Sequence, residues 1–225
     1  MSKPIVLITR STGDAAPYAD KVRALGWEAM MEPMLRIEPV GTIPDISNYE
    51  ALVFTSAHAI DAFVAQSQKR EIAVFTVGDS TADHARAAGF KNVTSASGDA
   101  ADLKKLLERK AQGRVLYLRG DDVAQEFNEI DSVVVYKAHP VEKFTESCAD
   151  ALRDGRIRNV MFFSARGGAT FADLCARSGL EGTVSGIKAL CISGAVLESV
   201  SVLPWSATRL AQRPDRAAML ALLDE

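Results

Sequence analysis

Apolar residues along this chain gather in short unbroken runs, separated by longer stretches in which they recur every three or four positions. Val6-Leu7-Ile8, Leu52-Val53-Phe54, Val115-Leu116-Tyr117-Leu118 and Val160-Met161-Phe162-Phe163 are of the first kind. Their length and their β-branched and aromatic content predict strands covered on both faces. The second kind predicts amphipathic helices. Tyr18, Val22 and Leu25 lie at i, i+4 and i+7 before Gly26; Ile60, Phe63 and Val64 mark a second helix; Ala82, Ala85 and Ala88 precede Gly89; Leu103, Leu106 and Leu107 mark a fourth. Further on, Phe144, Cys148, Ala151 and Leu152 precede Gly155, and Phe171, Leu174 and Cys175 precede Gly179, with last helices at Ala195 to about Val202 and Asp215 to Leu223. A glycine just past such a pattern is a natural helix stop. Strands alternating with helices predict an α/β protein with parallel sheets.

The alternation repeats itself. Val6-Leu7-Ile8-Thr9-Arg10 returns 109 positions later as Val115-Leu116-Tyr117-Leu118-Arg119, and Leu52-Val53-Phe54-Thr55-Ser56 returns at an offset of 108 as Val160-Met161-Phe162-Phe163-Ser164. A third block, Ile72 to Ala96, aligns without a gap at an offset of 115, which sets Gly78 on Ser193 and Phe90 on Trp205. Such self-similarity predicts a tandem duplication, divided near Gln112-Gly113. Pro33, Pro39 and Pro44, and the segment from Tyr136 to Pro140, interrupt the winding at two places. Extended, proline-punctuated stretches there predict connectors between two lobes, with a cleft between the lobes that the strand-end loops face.

Composition removes several function classes. The chain has 225 residues, a net charge of −3 and no apolar stretch near the length of a membrane span. No basic stripe predicts a nucleic-acid partner, and no membrane association is expected. The start MSKPIVLITR lacks a signal-peptide pattern, so a cytoplasmic location is expected. Cys148, Cys175 and Cys191 sit inside apolar patterns and form no CxxC, which predicts buried thiols in a reducing compartment, not a metal or disulfide framework. His58, His84 and His139 are too scattered to suggest a metal set. Phosphate loops, dinucleotide fingerprints and nucleophile elbows are absent from the sequence. No metal or cofactor is therefore expected.

In open parallel sheets, ligands meet the loops that follow the strands. Those positions are Arg10, Thr55-Ser56, Gly78-Asp79-Ser80-Thr81, Arg119-Gly120, Ser164-Ala165-Arg166 and Ser193-Gly194. Each Ser or Thr could simply cap a helix, and each Arg could be a solvated loop charge. Their recurrence at matching strand ends of both halves favours a binding surface.

The ordered series VLITR, LVFTSAHAIDAF, VFTVGDSTADHARAAGF, VLYLRG, VVVYKAHP and VMFFSARGGATF resembles the uroporphyrinogen-III synthases over nearly the whole chain. The resemblance implies two flavodoxin-like α/β lobes with parallel sheets, joined by a two-stranded antiparallel connector. It places residues 1–37 plus 142–225 in a discontinuous first lobe and 44–131 in the second, with connectors at 38–43 and 132–141. The sequence halves are then not the structural lobes. It further implies a monomeric, cofactor-free lyase that takes a linear tetrapyrrole, hydroxymethylbilane. That substrate loses its terminal hydroxyl as water, and the ring closes with its last pyrrole inverted. Tyr136, in VVVYKAHP, matches a connector tyrosine held to assist departure of the hydroxyl. Ser56 and His58 match a Ser and an Arg of a TSPRA-like loop, Gly78, Ser80 and Thr81 match a VGxxTA loop, and Ser164 matches the Ser of FFSPSG. Arg10, Arg119, Lys137 and Arg166 would supply positive potential for the substrate's carboxylates.

Two departures bear on this. The second-lobe IGPTTA-like loop reads Ile192-Ser193-Gly194-Ala195-Val196, without Pro or Thr, and Ser11 replaces a Pro common after the first Arg. They motivate one rival, a two-lobed small-molecule binding or regulatory protein without catalysis. A second rival, a nucleotide-dependent transferase on a similar fold, lacks a phosphate loop.

Overall fold

A computed structural model describes residues 3–122, 127 and 129–224, without the side chains of residues 12–14. In chain order the elements are β1 (Ile5–Ile8), α1 (Thr12–Ala24), β2 (Glu28–Met31), β3 (Leu35–Pro39), β4 (Ala51–Phe54), α2 (Ala57–Val64), β5 (Ala73–Thr76), α3 (Asp79–Ala87), β6 (Val93–Ser95) and α4 (Ala100–Lys110). They continue with β7 (Val115–Gly120), β8 (Asp131–Pro140), α5 (Glu146–Arg153), β9 (Ile157–Phe162), α6 (Ala165–Ser178), β10 (Lys188–Cys191), α7 (Gly194–Val200), β11 (Ala207–Leu210) and α8 (Arg216–Ala221). The chain divides into two compact units, Met1–Arg36 with His139–Glu225, and Ile37–Ala138.

The first unit holds a five-stranded sheet in the order β11-β10-β9-β1-β2, its neighbours paired in parallel. The second holds six strands in the order β3-β8-β7-β4-β5-β6, and β8, β7, β4, β5 and β6 again pair in parallel. Each is the doubly wound order in which strand sequence reverses beside one central strand. The repeat is legible in both sheets, because β7-β8 answer β1-β2 and β4-β5-β6 answer β9-β10-β11. The paired copies are exchanged: β1 and β2 complete the sheet of the later β9 to β11, while β7 and β8 complete the sheet of the earlier β4 to β6. Strands β3 and β8 each cross the boundary between the units, and both extend the second sheet.

Burial explains the central strands. All four residues of β1 and of β4 are buried, as uninterrupted apolar runs demand when helices cover both faces. The duplication also survives in packing. Phe54, Phe63 and Phe90 form an aromatic cluster with ring centroids 5.7–6.0 Å apart, and Phe162, Phe171 and Trp205 form its counterpart at 5.2–5.8 Å. Edge-to-face and offset contacts of this kind add to the burial of the rings themselves. Leu25 departs from expectation. It is the C-cap of α1 and 46% exposed, so the apolar stripe of that helix is buried only through Val22. The last two helices are shorter than their apolar patterns, with Ser193 and Asp215 as N-caps.

A buried carboxylate ties the first unit together where the chain leaves and re-enters it. Glu32, 3% exposed, accepts hydrogen bonds from the backbone N–H and the hydroxyl of Thr145, each at 2.7 Å, and Thr145 caps α5. Nearby, the Val141 N–H donates to the Met34 carbonyl at 3.1 Å. Replacing Glu32 with Ala strands the Thr145 N–H and is expected to cost about 2 kcal/mol in urea unfolding, with Thr145→Val costing less because the backbone bond survives. Equal stability of Glu32→Ala and the parent would mean that this bond pair carries no net weight.

Candidate active site

Strands that run parallel deliver their loops to one end of the sheet, and the reversal of winding opens a crevice there. In the first unit that end gathers the loop after β1 with Arg10, the start of α6 with Ser164, Ala165 and Arg166, and the start of α7 with Ser193 and Gly194. In the second unit it gathers Thr55, Ser56 and His58 between β4 and α2, Gly78, Ser80 and Thr81 between β5 and α3, and Arg119 at the end of β7. Tyr136 lies in β8, whose register sets it opposite Gly120 of β7.

The serines cap helices. Ser56 accepts from the His58 N–H at 3.2 Å, Ser164 from the Gly167 N–H at 3.0 Å and Ser193 from the Val196 N–H at 3.4 Å. Each hydroxyl keeps its own proton to donate. Helix α3 starts instead from Gly78, which brings no side-chain cap, and its first residue is Asp79. Hydrogen bonding from Ser95 and Ser97 holds the Asp79 carboxyl below its usual range, so this rim carries a negative charge beside Ser80 and Thr81. At that loop, an anionic ligand would meet repulsion as well as backbone N–H groups.

Tyr136 is held between His58 and Gly120. Its ring meets the His58 ring edge-on, with centroids 5.6 Å apart and planes inclined by 69°. The phenol end rests on the backbone of Gly120, where an added Cβ would fall 2.7 Å from Cζ and 2.9 Å from the hydroxyl oxygen. Only a residue without a side chain allows that approach. The Asp121 N–H donates to the Tyr136 carbonyl at 3.1 Å, which fixes the strand beneath the ring. Arg119 donates to the Gly120 carbonyl at 3.1 Å and so borders the same turn.

Two contributors to these rims escape sequence reasoning. Tyr117 is one: it is 1% exposed, and its hydroxyl lies 2.9 Å from that of Thr55. A tyrosine inside a buried strand signals such a partner, because its hydroxyl needs one. The other is Tyr18 of α1, whose ring lies 4.8 Å from Phe163 and beneath the Arg10 guanidinium. Among the described residues, no three His, Cys, Asp or Glu side chains come together as a metal site.

Two doubly wound units with polar residues at the carboxyl ends of their strands define a two-unit α/β protein. Residues 16–221 match the sequence profile of the family described as Uroporphyrinogen-III synthase HemD. The chain belongs to the uroporphyrinogen-III synthase family, whose members are cyclising lyases of haem biosynthesis. A comparison with curated proteins gives no match. Among solved structures, the uroporphyrinogen-III synthetase of Helicobacter pylori is similar with a TM-score of 0.67 and 16% identity, over 99% of this chain and 98% of that one. A mutant uroporphyrinogen III synthase of Thermus thermophilus aligns at a TM-score of 0.50 and 13% identity, over 98% and 97%. At such identities these likenesses concern the fold, and they agree with two parallel-sheet units.

Proposed function

We propose that this chain closes hydroxymethylbilane to uroporphyrinogen III in the cytoplasm, with Tyr136 as the group that assists loss of the terminal hydroxyl. The family match over residues 16–221 carries the reading of the activity. For the role of Tyr136, support comes from its seat on Gly120 and its edge-on contact with His58. A phenol with a pKa near 10 is protonated at neutral pH and can donate to a departing oxygen. The C–O bond then breaks, water leaves, and the azafulvene carbon becomes the electrophile. Attack by the substituted α-carbon of the last pyrrole, followed by fragmentation and reclosure, inverts that ring. The bilane is reactive by itself and closes without inversion, so the protein must chiefly control geometry, a task for oriented amides and hydroxyls.

Arg10, Ser164, Ala165, Arg166, Ser193 and Gly194 in one unit, and Thr55, Ser56, His58, Gly78, Ser80, Thr81 and Arg119 in the other, are the groups we assign to holding the substrate. Among the described residues, no helix is long and apolar enough to cross a membrane. The test is to supply hydroxymethylbilane and separate the products by isomer. Predominantly type III product is expected. Type I product alone, at the spontaneous rate, would refute catalysis and favour the binding-protein reading that the Ser193–Val196 loop motivates.

A further inference from the structure

In the second sheet the winding reverses beside β4, with β5 and β6 laid on one flank of that strand and β7 and β8 on the other. The loops after β4 and β7 part at this switch point, where a crevice opens at the carboxyl ends of the strands. A hydrogen bond crosses it. Tyr117 of β7 stands opposite Val53 of β4, and its hydroxyl lies 2.9 Å from that of Thr55, the first residue beyond β4. Tyr117 is 1% exposed, with its ring edge-on to that of Phe127 at 5.3 Å, whereas Thr55 is half-buried. One hydroxyl of the pair thus belongs to the core and the other to the rim.

The internal repeat shows the same place built another way. In the aligned blocks Ile8 corresponds to Tyr117 and Phe163 to Thr55. The register agrees, because Ile8 stands opposite Met161 as Tyr117 stands opposite Val53. In the first unit both positions are apolar: Ile8 is fully buried, and Phe163 packs against Tyr18. The fold therefore closes at this point without a hydrogen bond. A buried hydroxyl pair adds little net stability over an apolar filling of the same space, so packing alone does not account for Tyr117 and Thr55. Of two such groups, a phenol is the more acidic and the better donor. With Tyr117 donating, Thr55 accepts on its inner side and keeps its own proton to give outward.

We propose that Tyr117 is a positioning residue, which holds the Thr55 hydroxyl as an oriented donor to a carboxylate oxygen of the substrate at the switch point of the second unit. This role rests on the reading of the chain as a uroporphyrinogen-III synthase. Tyr117 is buried and acts only through Thr55. A threonine hydroxyl otherwise turns about its own bond, and fixing it beforehand lowers the ordering cost of binding. The contact it then makes with an anionic oxygen is of the stronger, charge-assisted kind.

The experiment measures KM and kcat on hydroxymethylbilane, with products separated by isomer and melting temperatures recorded, for the parent chain, Tyr117→Phe, Thr55→Val and the double variant. Loss of the donor is expected to raise KM about 5-fold in Thr55→Val, with less effect on kcat. In Tyr117→Phe, where the threonine hydroxyl remains but turns, a rise of about 3-fold is expected. The double variant should match Thr55→Val in KM, because Tyr117 then has nothing left to orient. A purely structural role would lower the melting temperature of Tyr117→Phe and leave KM alone, which overturns the proposal. An equal rise in KM on adding Tyr117→Phe to the parent and to Thr55→Val also overturns it, since Tyr117 would then act without Thr55. Should Tyr117→Phe not fold, Thr55→Val decides by itself: a raised KM upholds the oriented donor, and an unchanged KM overturns it. Each of these outcomes leaves the activity standing if the parent makes type III product. A parent that makes none removes the activity and this role with it.

Discussion

Tyr136→Phe is expected to slow formation of the type III isomer about 100-fold, within the range that a positioned proton donor contributes. The ring remains to pack against His58 and Gly120, so the melting temperature should hardly move. Because spontaneous closure continues, the product mixture should also shift toward type I. Gly120→Ala tests the same geometry from below. Its new Cβ would overlap the phenol end of Tyr136, which lies at the far end of a side chain and can swing away. The fold should survive, and the hydroxyl should lose its position. A loss in Gly120→Ala approaching that of Tyr136→Phe is expected. Full activity in both variants would remove Tyr136 from the reaction.

A second large effect concerns alkaline stability. Cys148, Cys175 and Cys191 are fully buried, and burial pushes the thiols of Cys175 and Cys191 up to about 12 and that of Cys148 higher still. In the unfolded chain each ionises near pH 8.5. Above that pH the unfolded state releases three protons that the native state retains, so stability falls as pH rises and is undiminished below it. At pH 9.5 the three thiols together should cost roughly 4 kcal/mol relative to pH 7.5. Urea unfolding at both pH values, for the parent chain and for a variant with Cys148, Cys175 and Cys191 all changed to Ala, isolates this term, since every other group titrates alike. The variant starts less stable at pH 7.5 because it carries cavities, but its decline with pH should be much shallower. Parallel declines would show that these thiols ionise within the folded core.

The sequence shows the strands plainly because they are covered on both faces: Leu52-Val53-Phe54 and Val160-Met161-Phe162 have no polar position to blur the pattern. The helix starts are nearly as plain, since Ser56, Ser164 and Ser193 announce them by capping chemistry. Edge strands are harder to see. In β2, Glu28 to Met31 is exposed or half-buried throughout and reads as loop. Pairing is hidden for a different reason. The repeat aligns β1 with β7 and β4 with β9, but nothing local says that β1 pairs with β9 and β7 with β4. That information lies in contacts between residues some 150 and 60 positions apart. It entered the sequence reading only through the family resemblance. The site divides in the same way. Strand-end residues, Gly120 among them, follow from topology, whereas the seating of Tyr136 on Gly120, Tyr117 beneath Thr55 and Arg216 above Tyr18 depend on three-dimensional approach.

The exchange of strand pairs also sets a timetable for synthesis. When a ribosome has delivered residue 138, every strand and helix of the second unit exists and that unit can close. By then Ile5–Ile8, the first strand made, still has no partner on one flank, because β9 begins only at Ile157. While well over a hundred residues are translated, a wholly apolar segment waits for its second neighbour, exposed to the cell's folding helpers and to other nascent chains. Birth order and assembly order are thus inverted in this protein: the part begun first is the part completed last.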